Sequence, residues 1–200
     1  MDSKGLSKIP AARASAILLA LAFLAVVTVN ALANILPING VGTGKISDDL
    51  PNLFVPAGLT FAVWGLIYLL LAGYAVAVLA QAFGKDPAGG WSAVDGFILS
   101  FNMAANIAWI FAWHYHQVAL SLVFMILILG TLILLEELNA ARLAAEKPGA
   151  KSGPRTMRFL LTTPINVYLG WICVATIANV TALLVASGWD GFGIDPRIWT

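Results

Sequence analysis

An all-α integral membrane protein, folded as a five-transmembrane-helix bundle, is the fold class this sequence predicts, and three observations predict it. The 200 residues are 60% hydrophobic and only 10% charged, with a mean hydropathy of +0.88, outside the usual range of a soluble domain. Five runs contain no Lys, Arg, Asp or Glu: 14–36, 56–83, 96–113, 118–135 and 159–187. Each is close to or above the roughly 20 apolar residues that a spanning helix needs. None alternates polar with apolar residues as a barrel strand does, and backbone in lipid must satisfy its own hydrogen bonds, so the runs are helices. Together they describe a single membrane domain over residues 1–200.

The first span follows Lys4, Lys8 and Arg13. Ala31-Leu32-Ala33 has the look of a signal-peptidase site, so a cleaved signal is the alternative to a retained helix. The apolar stretch runs on past that site to Leu36, which favours retention. Asn30 and Asn34 lie one turn apart within it. The loop at 37–55 is longer than a simple connector requires. It carries Gly40, Gly42 and Gly44, an acidic pair at Asp48 and Asp49, and Pro37 and Pro51 near its ends. It is either a surface excursion or a segment able to fold over a pocket mouth.

On the second span, Phe61, Trp64, Gly65, Tyr68 and Ala72 fall within about 100° of one another at helical periodicity, an aromatic face with gaps. On the third span, Ala104, Ala108 and Ala112 form a small-xxx-small ridge suited to close helix approach. The opposite face holds Asn102, Asn106, Trp109 and Trp113. The short turn that follows contains Trp113, His114, Tyr115 and His116. Its aromatic residues, with Trp91, Trp189 and Trp199, are expected in the membrane–water interface. The fourth span is almost wholly apolar. The basic 142–158 loop is a topology determinant and headgroup contact, not a nucleic-acid site. The fifth span places Tyr168, Trp171, Ala175, Thr176 and Asn179 within about 140° of arc. Such a stripe has no reason to face lipid.

Lys and Arg count nine on the side of the N-terminus (Lys4, Lys8, Arg13, Lys85, Arg142, Lys147, Lys151, Arg155 and Arg158). The other side has two, Lys45 and Arg197. The positive-inside rule then puts the N-terminus in the cytoplasm and the C-terminus outside, in the periplasm if the membrane is a bacterial inner membrane. Absences prune the chemistry. With no carboxylate or lysine in any span, a proton relay, a carboxylate-coupled cation pump and a retinal Schiff base have no residue to use. His114 and His116 stand about 200° apart on a helix and do not converge on one metal ion. Cys173 is the sole cysteine. The expectation is no catalytic residue, no metal ligand and no required cofactor. Matched aromatic and amide faces on three helices leave two readings: interhelical packing with polar glue, or a flat apolar cavity with a few neutral polar groups.

With these motifs in order, the sequence resembles the TspO/translocator-protein family, also called tryptophan-rich sensory proteins or peripheral benzodiazepine receptor-like proteins. The resemblance covers all five spans. It rests on Tyr168-x-x-Trp171-x-x-x-Ala175-Thr176-x-x-Asn179, on Trp64-Gly-Leu-Ile-Tyr68 with Pro56 upstream, and on Asn106-Ile-Ala-Trp109. Departures are Ala62 and Gly58 where the family has Pro and Trp, a proline displaced to Pro164, and an apolar residue near Leu122 in place of the fourth-helix Asp. The resemblance implies a homodimeric five-helix bundle in the lipid bilayer that binds a porphyrin such as protoporphyrin IX or another planar apolar molecule. It implies a ligand site of Trp64, Tyr68, Asn106, Trp109, Tyr168, Trp171, Ala175 and Asn179, and a dimer face at Ala104, Ala108 and Ala112. The function expected is a membrane sensor or transport-type protein. The alternatives are an accessory subunit of a larger membrane complex and a light-dependent porphyrin-degrading enzyme.

Overall fold

The computed structural model describes residues 8–36, 38–50, 54, 60, 62–84, 91–145 and 155–198. Pro56, Gly58, Phe61 and Trp199 lie outside them. Five helices are long and apolar enough to cross a membrane: α1 (Lys8–Ile35), α3 (Val63–Phe83), α4 (Ala93–His114), α5 (Val118–Ala145) and α6 (Arg155–Ala186). A six-residue helix, α2 (Thr43–Asp48), lies in the loop between α1 and α3. Even the shortest span, α3 with 21 residues, reaches about 32 Å at 1.5 Å per residue, enough for the hydrocarbon core. Among the five, packing runs as a closed ring in the order α1, α4, α5, α6, α3.

The helices differ from the charge-free runs at their ends, for one physical reason. A charge-free run marks where lipid forbids an unpaired ion, whereas a helix continues into the interface. Thus α5 runs to Ala145, through Glu136, Glu137 and Arg142, and α6 begins at Arg155. The helix α4 begins at Ala93 and includes Asp95 in its first turn, where its carboxylate accepts from the Ser92 backbone N–H at 2.9 Å in a capping box. Helical backbone in α3 begins at Val63, and the earlier part of the expected second span lies largely outside the described residues.

One end of the bundle is drawn tight. Asp95, almost fully buried, takes both guanidinium nitrogens of Arg142 at 2.6 Å each. This bidentate pair ties the start of α4 to the end of α5. Beside it α1 meets α4 so closely that a Cβ on Gly96 would stand 2.7 Å from the Ser15 hydroxyl oxygen. Further along, Asn102 donates to the Ile128 carbonyl at 3.0 Å and to the Thr131 hydroxyl at 2.8 Å, fastening α4 to α5. The outward faces carry Leu21, Leu24, Leu69, Val76, Ile126 and Ile177, all exposed, the surface that lipid contact requires.

Removing either partner of the Asp95–Arg142 pair leaves a charge buried without its counter-ion. Arg142→Ala should lower stability by about 2–3 kcal/mol, less than for a fully buried pair because the arginine is 32% exposed. Detergent-solubilised thermal unfolding checks this, with an unchanged melting temperature counting against the clamp.

Candidate ligand cavity

At the opposite end the ring opens, and the residues that span it are polar. Asn30 on α1 donates to the side-chain oxygen of Asn106 on α4 at 3.1 Å. Asn106 in turn donates to the Tyr168 hydroxyl on α6, also at 3.1 Å. One turn further along α4, the Trp109 indole N–H donates to Asn179 of α6 at 3.0 Å. The amide of Asn179 donates to the Ser121 hydroxyl of α5 at 3.0 Å. The helices α4 and α6 are not neighbours in the ring, so these side chains join them across its middle. All of them are neutral hydrogen-bonding residues that lipid would leave unsatisfied, which is why they face inward.

Two spaces lie beside this crossing. The larger, about 430 Å³, is walled by Val27, Asn30, Ala31 and Asn34 of α1, Trp64 and Tyr68 of α3, Trp109 and Ile110 of α4, and Thr43 and Gly44 of α2. Its volume falls within the range of small-molecule pockets. The smaller, about 40 Å³, lies on the α6 side, against Trp171, Ala175, Ala178 and Asn179. Trp64, Trp109 and Thr43 line both. The Trp64 ring stacks on Tyr68 at 5.6 Å between centroids and meets Tyr168 and Trp171 edge-on at 5.8 and 6.2 Å. Trp109 stacks on Trp113 at 5.9 Å. The Tyr68 oxygen is buried with no hydrogen-bond partner among the described residues.

The eight residues expected to bind ligand therefore divide. Trp64, Tyr68 and Trp109 line the larger cavity, and Trp171, Ala175 and Asn179 line only the smaller one. Asn106 and Tyr168 line neither and are buried in the hydrogen-bond chain behind the wall. Of the alanine ridge, Ala104 is exposed and Ala108 half-buried, while Ala112 is buried within its own bundle. Ser121 supplies the polar partner to Asn179 one residue away from the apolar position expected near Leu122.

The described part of the loop, 38–50, folds over the mouth. Ile46 of α2 is fully buried in the core, and the end of α4 holds the helix down. The Trp113 indole N–H donates to the Thr43 carbonyl at 3.1 Å. His114, also fully buried, has Nδ1 at 3.1 Å from the Ile38 carbonyl and Nε2 at 2.9 Å from the Thr43 hydroxyl. A carbonyl only accepts, so Nδ1 carries the proton, and in the neutral ring Nε2 accepts from Thr43. Asn39 donates to the His114 carbonyl at 3.0 Å. Trp113 and His114 are thus interior, unlike the interfacial placement expected for the turn, and Tyr115 and His116 alone are exposed there. The helix ends at His114, and His116 lies beyond it with a positive φ of 56°, so helical spacing alone carried no signal for which histidine turns inward.

A five-helix membrane bundle enclosing an aromatic cavity beneath a short helical cap is the class these features define. A family model described as TSPO-like protein matches residues 16–200, and the chain belongs to that family, placing it among membrane proteins of sensor or transport type. No curated protein and no solved structure gives a significant match.

If His114 holds α2 in place, His114→Ala should raise backbone amide exchange across residues 43–48 by about tenfold or more, from the loss of two hydrogen bonds. His116→Ala, altering an exposed ring, should leave it unchanged. Equal exchange in wild type and His114→Ala would remove the latch.

Proposed function

We propose that this protein binds a planar, largely apolar small molecule of the porphyrin class inside the membrane, as a sensor or transport-type receptor. The observation that carries the reading is the 430 Å³ cavity walled by the rings of Trp64, Tyr68 and Trp109. Indole and phenol faces hold a flat conjugated ligand by dispersion and stacking. The smaller space beyond Trp64 extends the same aromatic surface towards Trp171.

The membrane placement is part of the proposal: a bacterial inner membrane, with the N-terminus cytoplasmic and the cavity end of the bundle outside, as the distribution of Lys and Arg favours. A homodimer is proposed on the outward face of α4, where exposed Ala104 is flanked by exposed Phe97 and Phe101. Ala112 takes no part in that contact.

Protoporphyrin IX titrated into the purified protein should quench tryptophan fluorescence saturably. Trp64→Ala should weaken binding about three- to tenfold through lost stacking, and Trp189→Phe, outside the cavity, should not change it. Undiminished affinity in Trp64→Ala counts against this cavity as the site.

A further inference from the structure

Resting on the cavity reading above, the hydrogen bonds of α1 define which ligands that cavity accepts. Asn30 is 8% exposed, and its amide nitrogen donates to the Val26 carbonyl at 2.9 Å as well as to Asn106. A backbone carbonyl can only accept, so the nitrogen must occupy that side and the Asn30 oxygen must point the other way. Both amide hydrogens are then used. The same logic fixes Asn34, whose nitrogen donates to the Asn30 carbonyl at 2.8 Å. Neither the Asn30 nor the Asn34 side-chain oxygen receives a hydrogen bond among the described residues, and both residues line the larger cavity.

The polar wall of α1 therefore offers two amide oxygens one turn apart: Asn30, with both amide hydrogens committed, can only accept, and Asn34 accepts while keeping one N–H. The other polar groups do not cancel this. The Thr43 hydroxyl is bonded to His114, the Tyr68 oxygen is buried, and the Trp109 N–H is given to Asn179. Trp64, on α3, is the other tryptophan that lines the space. No Lys, Arg or His lines the space, so nothing offsets the desolvation of an anion placed there. Lys45, next to Gly44 on α2, is exposed and paired with Asp49 at 3.1 Å.

We propose that this cavity selects an uncharged ligand that turns a hydrogen-bond donor, an O–H or N–H, towards Asn30 and Asn34, and that it disfavours carboxylates and acceptor-only analogues. An anionic group on a porphyrin-class ligand must then stay outside the space or enter protonated or esterified.

Three pyrenes that differ in one substituent test this: 1-hydroxypyrene, 1-methoxypyrene and 1-pyrenecarboxylate, at neutral pH. Each is titrated against the full chain in nanodiscs by tryptophan quenching, with empty nanodiscs subtracted. The hydroxy compound should bind about three- to tenfold tighter than the methoxy ether, the range of one net hydrogen bond. The carboxylate should bind at least about tenfold more weakly than the hydroxy compound. In Asn34→Leu the ratio of hydroxy to methoxy affinity should fall towards unity. Asn34 is suited to this change because it stands at the exposed end of α1, outside the Asn30–Asn106–Tyr168 chain. An ether bound as tightly as the alcohol, a carboxylate bound tightest, or an undiminished preference in Asn34→Leu overturns the proposal. Equal binding of all three overturns it while leaving the cavity in place, whereas no binding above empty nanodiscs overturns both.

Discussion

The structure depends on hydrogen bonds that cross the middle of a ring of helices. Within the hydrocarbon region there is little water to satisfy an amide, so each Asn on a spanning helix must find a partner on another element or on its own backbone. Asn30, Asn106 and Tyr168 satisfy one another in a directed chain whose sense is set by the Val26 carbonyl. Trp109, Asn179 and Ser121 form a second crossing one turn away. Each such bond is worth only about a kilocalorie per mole in a membrane interior, but each also fixes the rotation of two helices. With α1, α4, α5 and α6 set by these contacts, the faces left over on α1, α3 and α4 enclose a space that side chains do not fill.

The two ends of the bundle are built for different tasks. At one, glycine and serine let α1 and α4 approach, and Asp95 with Arg142 clamps α4 to α5. At the other, the helices are spaced by indole rings and the opening is covered by α2, which His114 and Trp113 hold by its first residue. Thr43 is thereby both a wall of the cavity and the point of attachment of its cover. Whatever enters between Trp64 and Trp109 lies against the same residue that the end of α4 grips, so occupancy of the cavity and the hold on α2 share a contact.

Much of this was legible in the sequence, and the part that was not has a physical cause. Long charge-free runs give spanning helices because lipid excludes unpaired ions, so all five were evident. Their ends were not, since Asp95 is buried in a first helical turn where its partners are the Ser92 backbone N–H and an arginine 47 residues away. Periodicity identified the inward faces of two spans correctly: Asn102, Asn106 and Trp109 on α4 and Tyr168, Trp171 and Asn179 on α6 are all buried, whereas on α3 Trp64 and Tyr68 are half-buried and Gly65 is exposed. It could not say which buried polar residues would pair with each other and which would be left at a cavity. Asn106 and Tyr168 lie behind the wall, whereas Asn30 and Asn34, one turn apart on α1, line the cavity itself. Ser121 and Thr43 carry no pattern in one dimension, because their roles come from what the neighbouring helices bring to them.

A high-resolution structure of the protein with a bound planar ligand tests the account most directly. The account predicts ligand density between α1 and the rings of Trp64 and Trp109, under α2, with the Asn30–Asn106–Tyr168 chain intact. Density confined to the lipid-facing surface, with α1 packed directly on α3 and no space between them, would contradict it.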